Sequence, residues 1–522
     1  MTLLDAVVVG SGPNGLAAAV TLARAGLGVH VLEAQPTIGG GARTVAIPEL
    51  AGDMLFDLCS AVHPMAWASP FFRAFDLSAH GVELVGPEIA YAQPLDGDRA
   101  GLAFRDLART ADRLGPDGAA WRDLFGPLSA DWRAVTALAM GDKRTLRGML
   151  EGMPHESASN AGLVAESGRV SLPKRRSRAG NLVRAVRPGL RFGAALLEQG
   201  GTRWDRRFLT DEAKALFTGV AAHNITPLPS LAGAGTALLL AALAHADGGW
   251  AIPVGGSQAI INAMVRDLEA HGGTVEAGRR VESWSDLPPA RAVLFDTTPS
   301  TLLRIAGERV GPVRRAALRR FKHGNAAAKV DFVLSGPVPW RVADVGRAST
   351  VHVGGTRAEM VIAEDTVAHG LHADRPVVLV SDPTVADPSR LRGSKRPLWA
   401  YAHVPAGSTQ DVTEAVTRQI ERFAPGFRDV VVGSRCIPAA QMERHNQNYP
   451  GGDISSGAAT MWQMVARPTL APDPYQVAEG VYLCSASTPP GPGVHGMGGW
   501  HAARRALLRE FDVRHTPGLA PG

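Results

Sequence analysis

Three cysteines in 522 residues, Cys59, Cys436 and Cys484, lie far apart and are odd in number. They build neither a disulfide framework nor a zinc spacing, and the lack of a C-x-x-C pair excludes a dithiol reductase. No metal is expected. Aromatic residues reach only 6%, too few for the stacking platforms that hold single-stranded nucleic acids. Lysine occurs only at 143, 174, 214, 322, 329 and 395, so nearly all positive charge is arginine. The net charge is +5, from 54 basic and 49 acidic residues, with no long basic stripe. Nucleic acid is therefore not expected as a partner. A run of about 20 apolar residues, the signature of a spanning helix, is also missing. The first strand pattern opens within five residues of Met1, so no leader is expected ahead of the fold. Low cysteine use suits a reducing compartment. The expected location is the cytoplasm, or the mitochondrial matrix if the source is eukaryotic. Peripheral membrane contact stays open through Lys174-Arg175-Arg176-Ser177-Arg178.

What the chain has in plenty is core material and turns: 45% hydrophobic residues, 59 glycines and 37 prolines. Its length exceeds the roughly 250–300 residues at which single cores stop growing, so two structural units are expected. Oligomeric state does not follow from these residues.

The informative start is residues 3–9, LLDAVVV, followed by Gly10-Ser11-Gly12-Pro13-Asn14-Gly15 and the alanine-rich helical pattern LAAAVTLARAG. Val29 to Glu33 then reads as a second strand. This is strand, glycine turn, helix, strand, the context that gives G-x-G-x-x-G its meaning. Gly10 permits the turn, Gly12 lets backbone approach a pyrophosphate, and Gly15 packs helix on strand. Pro13 and Asn14 open the helix, whose N–H groups and positive dipole end face the phosphates. Glu33, with Ala34 beside it, lies about 20 residues on, where an acid meets a ribose hydroxyl. Ile38-Gly39-Gly40-Gly41-Ala42-Arg43 adds a second glycine segment and an arginine near the same phosphates.

At the far end, Val481-Tyr482-Leu483-Cys484 is a strand running into Ser485-Ala486-Ser487-Thr488-Pro489-Pro490-Gly491-Pro492-Gly493-Val494-His495-Gly496-Met497-Gly498-Gly499, where a helix opens. A glycine strand-to-helix turn is a second dipole site. Together the two ends resemble the FAD-dependent superfamily of amine oxidases, protoporphyrinogen oxidases and phytoene desaturases. The C-terminal run is similar to the "LCGAS-x-x-PGGGVHGM-x-G" pattern of phytoene desaturase-like proteins, nearest to the pyridine nucleotide-disulphide oxidoreductase domain-containing protein 2 type. Ser485 and Pro492 depart from that pattern. The resemblance implies FAD as cofactor, with Gly40, Arg43, Val281, Ser485, Ala486, Gly498 and Gly499 against it. The implied fold is α/β: a Rossmann-like FAD-binding domain of glutathione reductase/amine oxidase type, assembled from discontinuous segments, plus an α+β substrate domain with a mainly antiparallel sheet.

The expected division is 1–80, 248–305 and 475–515 for the FAD-binding domain, and 81–247 with 306–474 for the substrate domain. Residues 141–190, rich in Gly, Ser and Arg, read as a mobile loop. Residues 231–246, LAGAGTALLLAALAHA, read as a helix, either core or the wall of an apolar substrate tunnel. Val275 to Ser283 reads as strand, turn, strand.

No second glycine fingerprint for a nicotinamide nucleotide is present. The expected chemistry is hydride transfer from a small apolar, polyene or isoprenoid-like substrate to flavin N5, with oxygen or a quinone as acceptor. Alternatives are a flavin amine oxidase, which calls for two aromatic rings facing each other before the flavin, and a non-catalytic FAD-binding scaffold. Candidate bases are His63, His495 and Lys329; His501 flanks the same turn. Each histidine reads first as a structural one and only second as a base. Lys329 reads either as the counterpart of the lysine near N5 in amine oxidase relatives or as an exposed lysine on an edge strand.

Overall fold

The computed structural model describes residues 4–142 and 178–521. Two sheets organise it. The first has six strands in the order Gln476–Ala478, Val481–Leu483, Ala290–Phe295, Leu4–Val9, Val29–Leu32, Thr274–Glu276. All neighbours are parallel except the 476–478 edge. The central strands, Ala290–Phe295, Leu4–Val9 and Val481–Leu483, are largely buried apolar runs, as a parallel sheet covered on both faces requires. The Pro13–Ala23 helix is buried from Asn14 to Ala23 and packs beside the Gln258–Ala270 and Met497–Glu510 helices. In register, Leu32, Val9, Phe295 and Leu483 form one row. The next residues, Glu33, Gly10, Asp296 and Cys484, therefore emerge together at the carboxyl ends of the strands, where open α/β sheets bind ligands.

The second sheet has seven strands, ordered Val431–Ile437, Ala326–Leu334, Arg396–Val404, Val378–Ser381, Thr350–Val353, Ile89–Leu95, Arg99–Phe104. It is antiparallel apart from the 350–353 and 89–95 pairing. Side chains alternate between faces. One face, with Ala328, Val330, Phe332, Ala400 and Val380, packs on Val416, Ile420 and Phe423 of the Thr413–Phe423 helix. The opposite face carries Thr350, Leu379, Trp399 and Tyr401 to the wall of a cleft. Helices Gly118–Ala130, Asp211–Ala221 and Leu231–Ala244 form a further layer over a core that includes Trp121, Phe217 and Leu238.

Some expectations are corrected. Residues 143–177 lie outside the described residues, but from Arg178 the chain is helical to Gln199 rather than a loop. Of the 275–283 segment only Val275 and Glu276 are strand, because the sheet ends there and the chain turns back to bond Glu33 O through Arg279 N. Lys329 is neither exposed nor on an edge: its strand lies second in the sheet and the side chain is buried. Among the described residues, no helix is long and apolar enough to cross a membrane, and no cluster of three His, Cys, Asp or Glu is arranged to hold a metal ion.

Candidate active site

A cavity of about 850 Å³ opens at the carboxyl ends of the first sheet and runs beneath the second. Gly10, Gly12, Pro13, Asn14, Glu33, Ala34, Gly40, Arg43, Val281 and Ala486 line it. Gly15, Ser485, Gly498 and Gly499 stand behind that wall. Ser485 is buried, and its Oγ accepts from Ser487 N at 3.2 Å.

The wall is held by close backbone contact. Gly40 has φ +55°, and a Cβ there would come 2.9 Å from Gly12 Cα, so the two glycine segments abut only because neither bears a side chain. Glu33 closes the far side of the turn. Its Oε2 accepts from Ser11 N at 2.9 Å and Ser11 Oγ at 2.7 Å, and its Oε1 accepts from Gln35 N at 2.8 Å. Arg43 donates to Gly40 O (2.8 Å), Thr37 Oγ1 (3.0 Å) and His445 O (2.6 Å). Burial lowers its pKa, against the pull of Glu33.

Asp296 was not singled out from the sequence, although its place directly after a buried strand was the available signal. It lines the cavity, and its Oδ2 accepts from Gly15 N at 3.0 Å, at the N-terminus of the first helix. Burial pushes its pKa up to about 7; the Gly15 bond opposes this and Glu33 adds to it.

The candidate bases separate. His63 lines the cavity, with Nε2 2.7 Å from Ser257 Oγ, and burial lowers it to about 4. His495 also lines it, but Nδ1 accepts from Met497 N (3.0 Å) and Nε2 donates to Gly491 O (3.1 Å). Both ring nitrogens are committed, which makes His495 a structural brace of the terminal loop. His501 lies outside the lining and donates Nε2–H to Met140 O at 3.1 Å. Lys329 pairs with Asp331 two residues along its own strand and does not reach the cavity wall.

Beyond the glycine turn the cavity is walled by Leu239 and Leu240 of the 231–246 segment and by residues that the sequence did not flag: Leu196, Trp250, Leu379, Trp399 and Tyr401, with His223, Asn224 and Thr350 among them. Ala232, Gly235 and Thr236 place the 231–244 helix on this wall, so that helix serves both core and cavity. Trp399 and Tyr401 meet edge to face at 88° with centroids 5.2 Å apart. They are neighbours on one strand, not two rings opposed across a gap.

A Rossmann-like sheet, a glycine-lined turn and a deep apolar extension define a fold of the dinucleotide-binding type with two sheets. Residues 8–76 match the family description "NAD(P)-binding Rossmann-like domain". Along nearly its whole length the chain is similar to pyridine nucleotide-disulfide oxidoreductase domain-containing protein 2 of Rattus norvegicus. The two are 24% identical over 96% of this chain and 92% of that one. An uncharacterised protein of Mycobacterium bovis is 25% identical over 98% of each chain. Among solved structures, an oxidoreductase from Methanosarcina mazei superposes with a TM-score of 0.58 at 15% identity, over 96% of this chain and all of that one. Cyclohexylamine oxidase from Brevibacterium oxydans superposes at 0.56 and 14%, over 98% of this chain and all of that one. These likenesses bear out the resemblance read from the two ends and the amine oxidase type of fold.

Proposed function

We propose that the chain is an FAD-dependent oxidoreductase taking a hydride from a small apolar, isoprenoid-like substrate, with oxygen or a quinone as the final acceptor. The observation that carries this reading is a single cavity lined both by Gly10, Gly12 and Arg43 at the glycine turn and by Leu239, Leu240 and Trp250 in an apolar pocket. The residues present fit FAD. Glu33 and Val281 suit the adenosine half, and the space kept free by Gly12 and Gly40 suits the diphosphate. The loop from Ala486 to His495 borders the remainder. Bound there, the isoalloxazine ring supplies a two-electron acceptor at N5.

The chain's own part is to orient and to exclude water. Leu196, Leu239 and Leu240 present no polar group, so an alkyl or polyene body binds by displacing water from them. His63 sits neutral at working pH, hydrogen-bonded to Ser257. The apolar extension beyond the glycine turn, which a non-catalytic scaffold does not need, counts against that reading. The edge-to-face Trp399–Tyr401 pair supplies no opposed aromatic cage of the kind expected for an amine oxidase.

The test is an absorbance spectrum of the purified protein, followed by anaerobic addition of NADPH, amines and polyenes in turn. Oxidised flavin bands bleached by a polyene or isoprenoid support the reading. Bleaching by amines alone replaces it with the amine oxidase. A colourless protein that takes up no added FAD removes it.

A further inference from the structure

The apolar half of the cavity contains a polar pair that the reading above does not use. His223 stands on the cavity wall, in the turn Ala222–Asn224, and its Nε2 lies 2.8 Å from Nε2 of His352. His352 is fully buried on the Thr350–Val353 strand. Two imidazoles that meet nitrogen to nitrogen share one proton, so one donates and the other accepts. Burial lowers His223 to about 3 and His352 well below its ordinary value, each further opposed by neighbouring imidazoles. The pair is therefore neutral at working pH.

The polar surroundings are incomplete. His352 Nδ1 and Thr350 Oγ1 are buried with no hydrogen-bond partner, as is Tyr91 OH, although Tyr91 and His352 touch edge to face at 5.5 Å. Thr350 is two residues from His352 on the same face, is 1% exposed, and lines the cavity. Buried polar groups without partners are rare in native proteins and cost about 1–3 kcal/mol each. His223 Nδ1 is bonded to no described residue, and the ring borders the cavity.

We propose that the His223–His352 pair anchors an oxygen substituent, a hydroxyl or the carbonyl derived from it, on an otherwise apolar ligand. The shared proton makes the anchor adaptable. With the proton on His223 Nε2, Nδ1 is a bare acceptor for an O–H; with the proton on His352, Nδ1–H is a donor to a C=O. The other polar classes fit less well. The lining carboxylates are Glu33 and Asp296 at the glycine turn and Asp142 beside Arg505, so an ammonium finds no counter-charge near His223. The lining arginines are Arg43 at the glycine segments, Arg279, whose backbone N–H bonds Glu33 O, and Arg467, occupied by the carbonyls of Ala486, Ser455 and Ser456, so a carboxylate finds no free cation near His223. This inference rests on the cavity being the substrate site and narrows its substrate class to oxygenated isoprenoid-like compounds.

Trp250 and Trp399 line the same cavity, so tryptophan fluorescence reports binding whether or not flavin is present. The protein as purified is titrated with geraniol, geranial, the hydrocarbon 2,6-dimethyl-2,6-octadiene and geranylamine. Geraniol and geranial are expected to bind about tenfold more tightly than the hydrocarbon, the worth of one hydrogen bond to a buried group. His223→Phe is expected to bring both down to the level of the hydrocarbon while leaving hydrocarbon affinity unchanged. His223→Gln, which keeps a polar group at similar reach, retains part of the preference and serves alone if the Phe variant does not fold. Equal affinity for alcohol and hydrocarbon overturns the anchor, as does a preference left undiminished by either variant, tightest binding of the amine, or binding of none of the four. A colourless protein that still prefers geraniol would remove the flavin reading and leave the anchor standing.

Discussion

Gly498 N donates to Asn14 Oδ1 at 3.1 Å, joining residues 484 apart in the chain. The neighbouring Gly499 packs tighter still: a Cβ there would stand 1.7 Å from Asn14 O. The first helix and the last thus meet backbone to backbone behind the glycine turn, and the turn's shape depends on both ends of the chain.

Gly499→Ala is accordingly expected to destabilise the protein by at least about 2 kcal/mol, because a backbone oxygen cannot move aside as a flexible side chain can. It should also lower flavin content. Gly336→Ala, where an added methyl meets nothing within 4 Å, is expected to change stability by less than about 0.5 kcal/mol. Thermal unfolding of both variants, with flavin content read by absorbance, checks the contrast.

Asp296 is expected to make both folding and dinucleotide binding depend on pH. Its pKa is raised from 3.8 to about 7, chiefly by burial. Between those values the folded state keeps a proton that the unfolded state releases, so stability falls as pH rises from about 4 to about 7 and then levels. Asp296→Asn is expected to match the wild type near pH 4 and to exceed it by a few kcal/mol near pH 8. A dinucleotide's diphosphate beside Asp296 favours the protonated form, so the affinity for FAD should weaken above about pH 7 in the wild type and less in the variant. Denaturant unfolding and FAD titration at several pH values read the two effects separately.

Lys329 and Asp331 form a buried ion pair on one strand. Lys329→Met leaves a buried carboxylate alone and is expected to cost about 3–5 kcal/mol. The double variant Lys329→Met/Asp331→Leu should recover most of that loss. In neither case is the rate of flavin reduction by substrate expected to fall, since the pair lies outside the cavity lining. A large loss of rate in a stable double variant would return Lys329 to the chemistry.

Glu33 accepts three hydrogen bonds across the turn. Glu33→Gln keeps the shape but exchanges a charged acceptor for a neutral amide, and should weaken FAD and ADP alike by about tenfold. Equal loss for both, measured by titration, places the effect in the adenosine half.

The first helix and its glycine turn were readable because the signal is local: an apolar run, three glycines at fixed spacing and an acid after the second strand. The terminal glycine helix was readable for the same reason. Ser485 was assigned to the cofactor from its place in a motif, yet it stands behind the wall. A motif gives the path of the backbone and not which side chains face the cleft. Lys329 was misplaced because a lysine in an apolar strand reads as exposed until Asp331, on the same face two residues on, is seen to neutralise it. His223 carries no signal at all in the sequence: its partner is 129 residues away, and nothing in Ala222-His223-Asn224 marks it.

By itself the sequence determined the phosphate end of this protein, since a glycine turn between strand and helix needs only neighbouring residues to take its shape. Apart from the 231–246 helix, already readable as a wall, tertiary structure decided the apolar end of the cavity. His223, Thr350, Trp399 and Tyr401 come from a turn and two strands that no spacing rule connects, and they converge only when the second sheet packs that face against the cleft. The proton shared between His223 and His352 exists because burial excludes the water that would otherwise separate the two rings.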